Sequence, residues 1–210
     1  MNPEFLAISI VILLFSVILH EVMHGYVALK FGDKTALNAG RLTLNPIPHI
    51  DLVGTILLPG LLLLSGSPIL FGWAKPVPVN PLHFNDLKRG ELLVSAAGIL
   101  ANLGLALVSA VLFHILGSFS SQPFLSQIFY FTADINLLLA VFNLLPIPPL
   151  DGSKVLLSQL SYNLARQYQA FEQYGFLILL GLMLVRVGST SLLGAYLGFV
   201  VGILKSFLGL

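Results

Sequence analysis

The chain has 210 residues, 57% of them hydrophobic and only 9% charged, with a formal net charge of +1 and a mean hydropathy of +0.95. An ordinary soluble domain carries about 25% charged residues, so this is the composition of a polytopic membrane protein. The absence of cysteine excludes disulfides and thiolate metal ligands, and a near-neutral charge without a basic tract excludes nucleic acid as a partner.

Each membrane crossing needs about 20 mostly apolar residues. The first apolar run begins within a few residues of Met1 and lacks a basic n-region or small-residue cleavage site, so it predicts a retained helix over about 4–30 rather than a signal peptide. Residues 50–71, IDLVGTILLPGLLLLSGSPILF, are apolar enough to insert. They are broken by Pro59-Gly60 and by Ser65-Gly66-Ser67-Pro68, which predicts entry and return. Further helices are predicted over about 91–116, 127–146, 170–186 and 190–208. Residues 38–50 and 72–83, rich in Pro, Asn and Thr, read as short strands or ordered loops at the membrane surface, where an exposed edge could accept an extended peptide. The expected fold is all-α and polytopic, with about five to six transmembrane helices, a re-entrant segment and short membrane-surface strands. It forms a single domain over 1–210, with a core over about 4–160 and additional C-terminal helices over about 165–210.

Basic residues give the orientation. Lys30, Lys34 and Arg41, then Lys75, Lys88 and Arg89, then Lys154 and Arg166 all fall in loops that the positive-inside rule assigns to the cytoplasm. These loops share a side only if 50–71 re-enters. The uncharged loop 117–126 then faces outward, Met1 lies outside and Lys205 ends inside.

Polar residues inside the apolar runs carry the chemistry. His20-Glu21-Val22-Met23-His24 is an HExxH pattern, and on a helix the i, i+4 spacing brings both imidazoles to one face, near enough to bind one metal. Glu21 is placed to take a proton from water at that metal and pass it to a leaving amine. Ionisable groups inside a membrane are costly and usually functional. A catalytic zinc site normally has three protein ligands, and Asp134, His49, His83, His114, Asp51, Glu91 and Asp151 are candidates for the third. Asp151 follows FNLLPIPPL, where Pro146, Pro148 and Pro149 must break the preceding helix, an arrangement tolerated at membrane depth only beneath protein or a watery cavity. His49, His83 and His114 read as ordinary surface histidines and Asp134 as a residue near the outer end of its span. Gly98, Gly104 and Ala96, Ala97, Ala101 and Ala106 read as small-residue helix packing.

HEVMHG at 20–25, AGRLTLNPIPHIDLVGTILLP at 39–59, FGWAKPVPVNP at 71–81, AAGILANL at 96–103 and FNLLPIPPLDG at 142–152 together resemble the site-2 protease family of intramembrane zinc metalloproteases, in its compact branch without a PDZ or CBS domain. Ile99 departs from the Pro that many relatives carry. The resemblance implies Zn2+ as cofactor, held by His20, His24 and Asp151, with Glu21 as general base. It further implies cleavage of transmembrane protein substrates; the basic loops put the site near the cytoplasmic face, and the short loops fit a plasma membrane. In relatives, residues matching Asn143 and Asn102 support the site or hold the substrate backbone, so both are expected as substrate-binding groups. A membrane metal-ion transporter and a non-catalytic membrane scaffold are the alternative readings.

Overall fold

A computed structural model describes residues 3–65, 72–119 and 123–210. Three of its helices are long and apolar enough to cross a membrane: α1 (Pro3–Lys30), α4 (Leu87–Phe119) and α5 (Pro123–Asn143). They pack against one another through small side chains. Ala28, Ala97, Ala106, Ala110, Ala133 and Ala140 are buried together with Ser9, Ser16 and Ser109, whereas Leu6, Val11, Leu100, Leu107 and Val111 face outward. A water-soluble bundle would show the reverse. In lipid no hydrophobic force joins helices, so close backbone approach and interhelical hydrogen bonds hold them together, and small residues permit both.

Between α1 and α4 the chain makes a short helix α2 (Thr35–Asn38), a π-helical turn over Leu52–Leu57 capped by Asp51, and α3 (Leu58–Leu64). Among the described residues this is a short apolar element, Leu52–Leu64. The end of the expected re-entrant segment, 66–71, lies outside the described residues, as do residues 120–122 of the expected outer loop.

The strands expected at 38–50 and 72–83 form no ladder; among the described residues the only strands are β1 (Arg186–Val187) and β2 (Thr190–Ser191). Proline is the reason. Pro76, Pro78 and Pro81 remove every second or third donor from the segment, and the remaining N–H groups are used singly. Lys75 N–H donates to His49 O at 2.9 Å, Val77 N–H to Glu21 Oε2 at 2.8 Å and Asn80 N–H to Asp33 Oδ2 at 2.7 Å. The Arg41 guanidinium donates to Lys75 O at 2.6 Å. His49 is not the surface histidine expected, since it is fully buried and its Nε2 sits 2.9 Å from Thr43 O.

The C-terminal third departs further. The expected span over 170–186 is a ten-residue helix, α8 (Gly175–Leu184), preceded by α6 (Asp151–Gln159) and α7 (Tyr162–Ala170); at about 1.5 Å per residue it cannot cross a bilayer. Its Gly175 lies against Pro148 O, and its Leu179 packs with Leu145, Leu150 and Leu193. From there α9 (Leu192–Leu208) runs antiparallel to α5, with Val201 beside Leu137 and Val141 and Lys205 bonded to Asp134 at 2.8 Å. Lys205 therefore meets Tyr130 and Asp134 near the middle of α5, about 14 Å from Asn143 at about 1.5 Å per residue, so Asp134 does not lie near the outer end of its span as expected.

Asp33 ties the end of α1 to the segment before α4. Burial opposes its charge, but donors from the Thr35 hydroxyl and N–H, Asn80 N–H and His83 Nδ1 outweigh that and hold the carboxyl down at about 2. A carboxyl lowered in the folded state stabilises above its unfolded value of about 3.9, and that contribution is lost as the pH falls through about 2. The melting temperature in detergent is expected to drop between pH 4 and pH 2, and to drop less in Asp33→Asn. Equal slopes in the two proteins would contradict the anchoring role.

Candidate metal centre

The site is built from two helices, α1 and α6, and the turn that leads into the second. His20 and His24 lie one turn apart on α1, buried at 7% and 8% exposure, about 15 and 9 Å along the helix from Lys30 at 1.5 Å per residue. Asp151 opens α6. It is delivered by the turn 144–150, which begins where α5 stops at Asn143 and is pinned by Leu145 and Leu150 in an apolar cluster with Leu179 and Leu193. Gly152 is required there, because a Cβ would collide with the carbonyl oxygens of Leu144 and Leu145.

Asp151 Oδ2 sits 3.0 Å from His20 Nε2 and 3.1 Å from His24 Nε2, and the two Nε2 atoms are 3.0 Å apart. The other ring nitrogens fix the tautomers. His20 Nδ1 faces Asn102 Oδ1 at 2.7 Å and His24 Nδ1 faces Val94 O at 2.6 Å; both are acceptors, so both Nδ1 atoms carry the hydrogen. The two Nε2 lone pairs and a carboxylate oxygen therefore converge with no hydrogen among them, and Asp151 Oδ2 is buried without a hydrogen-bond donor. Such a cluster calls for a cation. Zinc bonds of about 2.0–2.2 Å at tetrahedral angles place ligand atoms about 3.3–3.5 Å apart, close to the spacing here, and an N/N/O set suits that ion. Among the described residues this is the one group of His and acidic side chains with metal-ligand spacing.

The other candidate third ligands are engaged elsewhere. Asp51 caps the π-helical turn through Val53 N–H and Gly54 N–H. Asp134 pairs with Lys205, His83 with Asp33, and His114 Nε2 with Leu208 O at 2.7 Å. Glu91 lines the cavity without joining the cluster.

Glu21, Val77, Asn143, Asp151 and Lys154 also line that cavity, of about 460 Å³. Glu21 Oε2 accepts from Val77 N–H, which orients the carboxylate in the cavity wall. Asn143 donates to Leu139 O at 3.0 Å. Asn102 is not in the wall: it is fully buried behind His20, where it meets the ring nitrogen that faces away from Asp151.

Gly98 belongs to the site. A Cβ at this position would lie 2.5–2.6 Å from His20 Cε1, His20 Nε2 and His24 Nε2, so the glycine keeps open the space in which the two rings converge. Gly104, expected to pack like it, faces outward with nothing within 4 Å. The signal for Gly98 is its position one turn before Asn102, on the face of α4 that meets the HExxH histidines.

Comparison with known proteins gives the family. The family model described as "Peptidase family M50" matches residues 114–185, the part of the chain that contains Asn143 and Asp151. "Putative zinc metalloprotease YwhC" of Bacillus subtilis is 41% identical over 186 residues, covering 86% of this chain and 81% of that protein. "Putative zinc metalloprotease Rip2" of Mycolicibacterium smegmatis is 32% identical over 81% of this chain, which spans 64% of that protein's length. "Putative zinc metalloprotease MJ0611" of Methanocaldococcus jannaschii is 33% identical over 73% of each chain. No solved structure gives a significant match. The chain belongs to peptidase family M50, the site-2 protease family.

Gly98→Ala is expected to weaken zinc binding by about tenfold or more, the scale of a displaced or reoriented metal ligand, while Gly104→Ala binds as wild type does. Chelator competition on both purified variants checks this; equal affinities would show that Gly98 is only a packing residue.

Proposed function

We propose that this M50 zinc metalloprotease is an intramembrane endopeptidase, hydrolysing peptide bonds within or near transmembrane segments of membrane protein substrates, as in regulated intramembrane proteolysis. The observation that carries the reading is the His20–His24–Asp151 acceptor cluster, its two histidines inside an apolar span, with Glu21 in the wall of the same cavity. Bound zinc supplies a Lewis acid that polarises the scissile carbonyl and lowers the pKa of water toward about 7.

The chain's own residues do the rest. His20, His24 and Asp151 hold the ion, and their buried setting keeps competing ligands away. Glu21 takes the proton from the attacking water and returns it to the leaving amine, with its carboxylate held by Val77 N–H so that the orientation is set before substrate arrives. Asn143, in the cavity wall at the end of α5, holds the substrate backbone. Asn102 serves the site from behind His20.

The substrate helix must unwind, since a helical peptide hides its carbonyls in hydrogen bonds; helix-breaking residues near the cut lower that cost. The extended segment 75–80, which crosses the cavity at Val77, is placed to receive the unwound strand. Lys30, Lys34, Arg41, Lys75, Lys88, Arg89 and Lys154 lie on the segments that meet at this end of the bundle, which supports a site near the cytoplasmic face of the plasma membrane. The whole of 1–210 acts as one domain in this reading, with the core over about 4–160.

Glu21→Gln is expected to keep one zinc per chain and lose about 100-fold or more in cleavage of a transmembrane-segment peptide in detergent. Retained cleavage would remove Glu21 from the mechanism. Asn143→Ala is expected to raise KM more than it lowers kcat; an unchanged KM would remove its substrate contact.

A further inference from the structure

The two metal-binding histidines are oriented by different means. His24 donates to a backbone carbonyl, Val94 O, which no substitution removes, whereas His20 donates to a side chain, Asn102 Oδ1. Asn102 in turn donates to Asn136 Oδ1 at 2.8 Å and to Ser16 O at 3.3 Å. Asn136 donates to Ser16 Oγ and to Thr132 O, both at 2.8 Å, and Ser16 donates to Ile12 O at 2.8 Å. Ser16, Asn102 and Asn136 are all fully buried. The chain of bonds leaves α1 at His20, crosses α4 and α5, and returns to α1 one turn before it began.

Its direction is fixed by two backbone carbonyls, which only accept. Turning the Asn136 amide over would set its oxygen against Thr132 O, and turning Asn102 over would set its oxygen against both Ser16 O and Asn136 Oδ1. With both amides fixed, Asn102 offers His20 an oxygen and nothing else. The His20 hydrogen is thereby kept on Nδ1 and the Nε2 lone pair is kept toward Asp151.

We propose that Asn136, which touches neither His20 nor the cavity, is a positioning residue for the metal site: it acts through Asn102 to hold His20 in its metal-binding tautomer. This inference rests on the metal-site reading above. It also links α5, whose end carries Asn143 and the turn to Asp151, to a histidine on α1.

The test measures Co2+ affinity and the visible d–d spectrum of the Co2+-loaded full chain in detergent, for wild type, Asn102→Leu, Asn136→Leu, the double variant and Ser16→Ala. Loss of an outer partner of a metal-binding histidine typically costs about 10- to 100-fold in affinity, so both single Asn variants are expected to weaken binding by about tenfold or more with an altered spectrum. Because Asn136 acts through Asn102, the double variant is expected to bind no more weakly than Asn102→Leu alone. Ser16→Ala, the mildest change, is expected to show a smaller loss of the same kind. Wild-type affinity and spectrum in Asn136→Leu, or losses that multiply in the double variant, would overturn the proposal. If neither Asn variant folds, an unchanged Ser16→Ala overturns it and a weakened one supports it. Failure of the wild type to bind one Co2+ per chain would instead overturn the metal-site reading itself.

Discussion

Three acceptors brought together with their hydrogens pointing away are unstable without a cation, and the arrangement of this bundle follows from that convergence. A buried carboxylate oxygen without a donor, beside two imidazole lone pairs, is costly unless a cation joins them, so the cluster is built for an ion. Every neighbouring choice serves it. Asn102 and Val94 O draw the ring hydrogens outward, Gly98 leaves the rings room, and the turn 144–150 brings a carboxylate to them.

The packing that permits this is characteristic of a membrane interior. Alanine and serine fill the contacts among α1, α4 and α5, so the backbones approach closely enough for side chains as short as asparagine to bridge three helices. Larger residues there would separate the helices and open the bonded chain behind His20. On the other side of the site, the proline-punctuated segment 75–80 is held by single hydrogen bonds to His49, Arg41, Glu21 and Asp33, and not by a ladder. One of those partners is Glu21, the proposed general base, so a single hydrogen bond joins the cover of the cavity to that carboxylate.

The HExxH motif was legible because its geometry is local: two histidines four apart on one helix need only the helix. Asp151 could not be separated from six other candidates by residue type, because which carboxylate arrives is decided by a turn packed through Leu145 and Leu150. Asn102 reads from sequence as a polar residue in an apolar helix, and only interhelical packing decides that it faces the back of His20 and not the cavity. Gly98 and Gly104 look alike in sequence, yet helix rotation sends one to the ligands and the other to the surface. The long spans were visible in hydropathy. The brevity of α8 was not, because a window average does not register where a chain turns. The pairing of Lys205 with Asp134 was not legible, because charge counting does not register a carboxylate on a neighbouring helix.

The most direct measurement is X-ray absorption at the zinc edge on the purified protein and on Asp151→Ala. The structure predicts a wild-type shell of two imidazole nitrogens with carboxylate oxygen at about 2.0–2.2 Å, and a shell that loses the carboxylate oxygen and binds more weakly in the variant. A zinc shell without two imidazoles, or one unchanged by Asp151→Ala, would contradict the convergence on which this account stands.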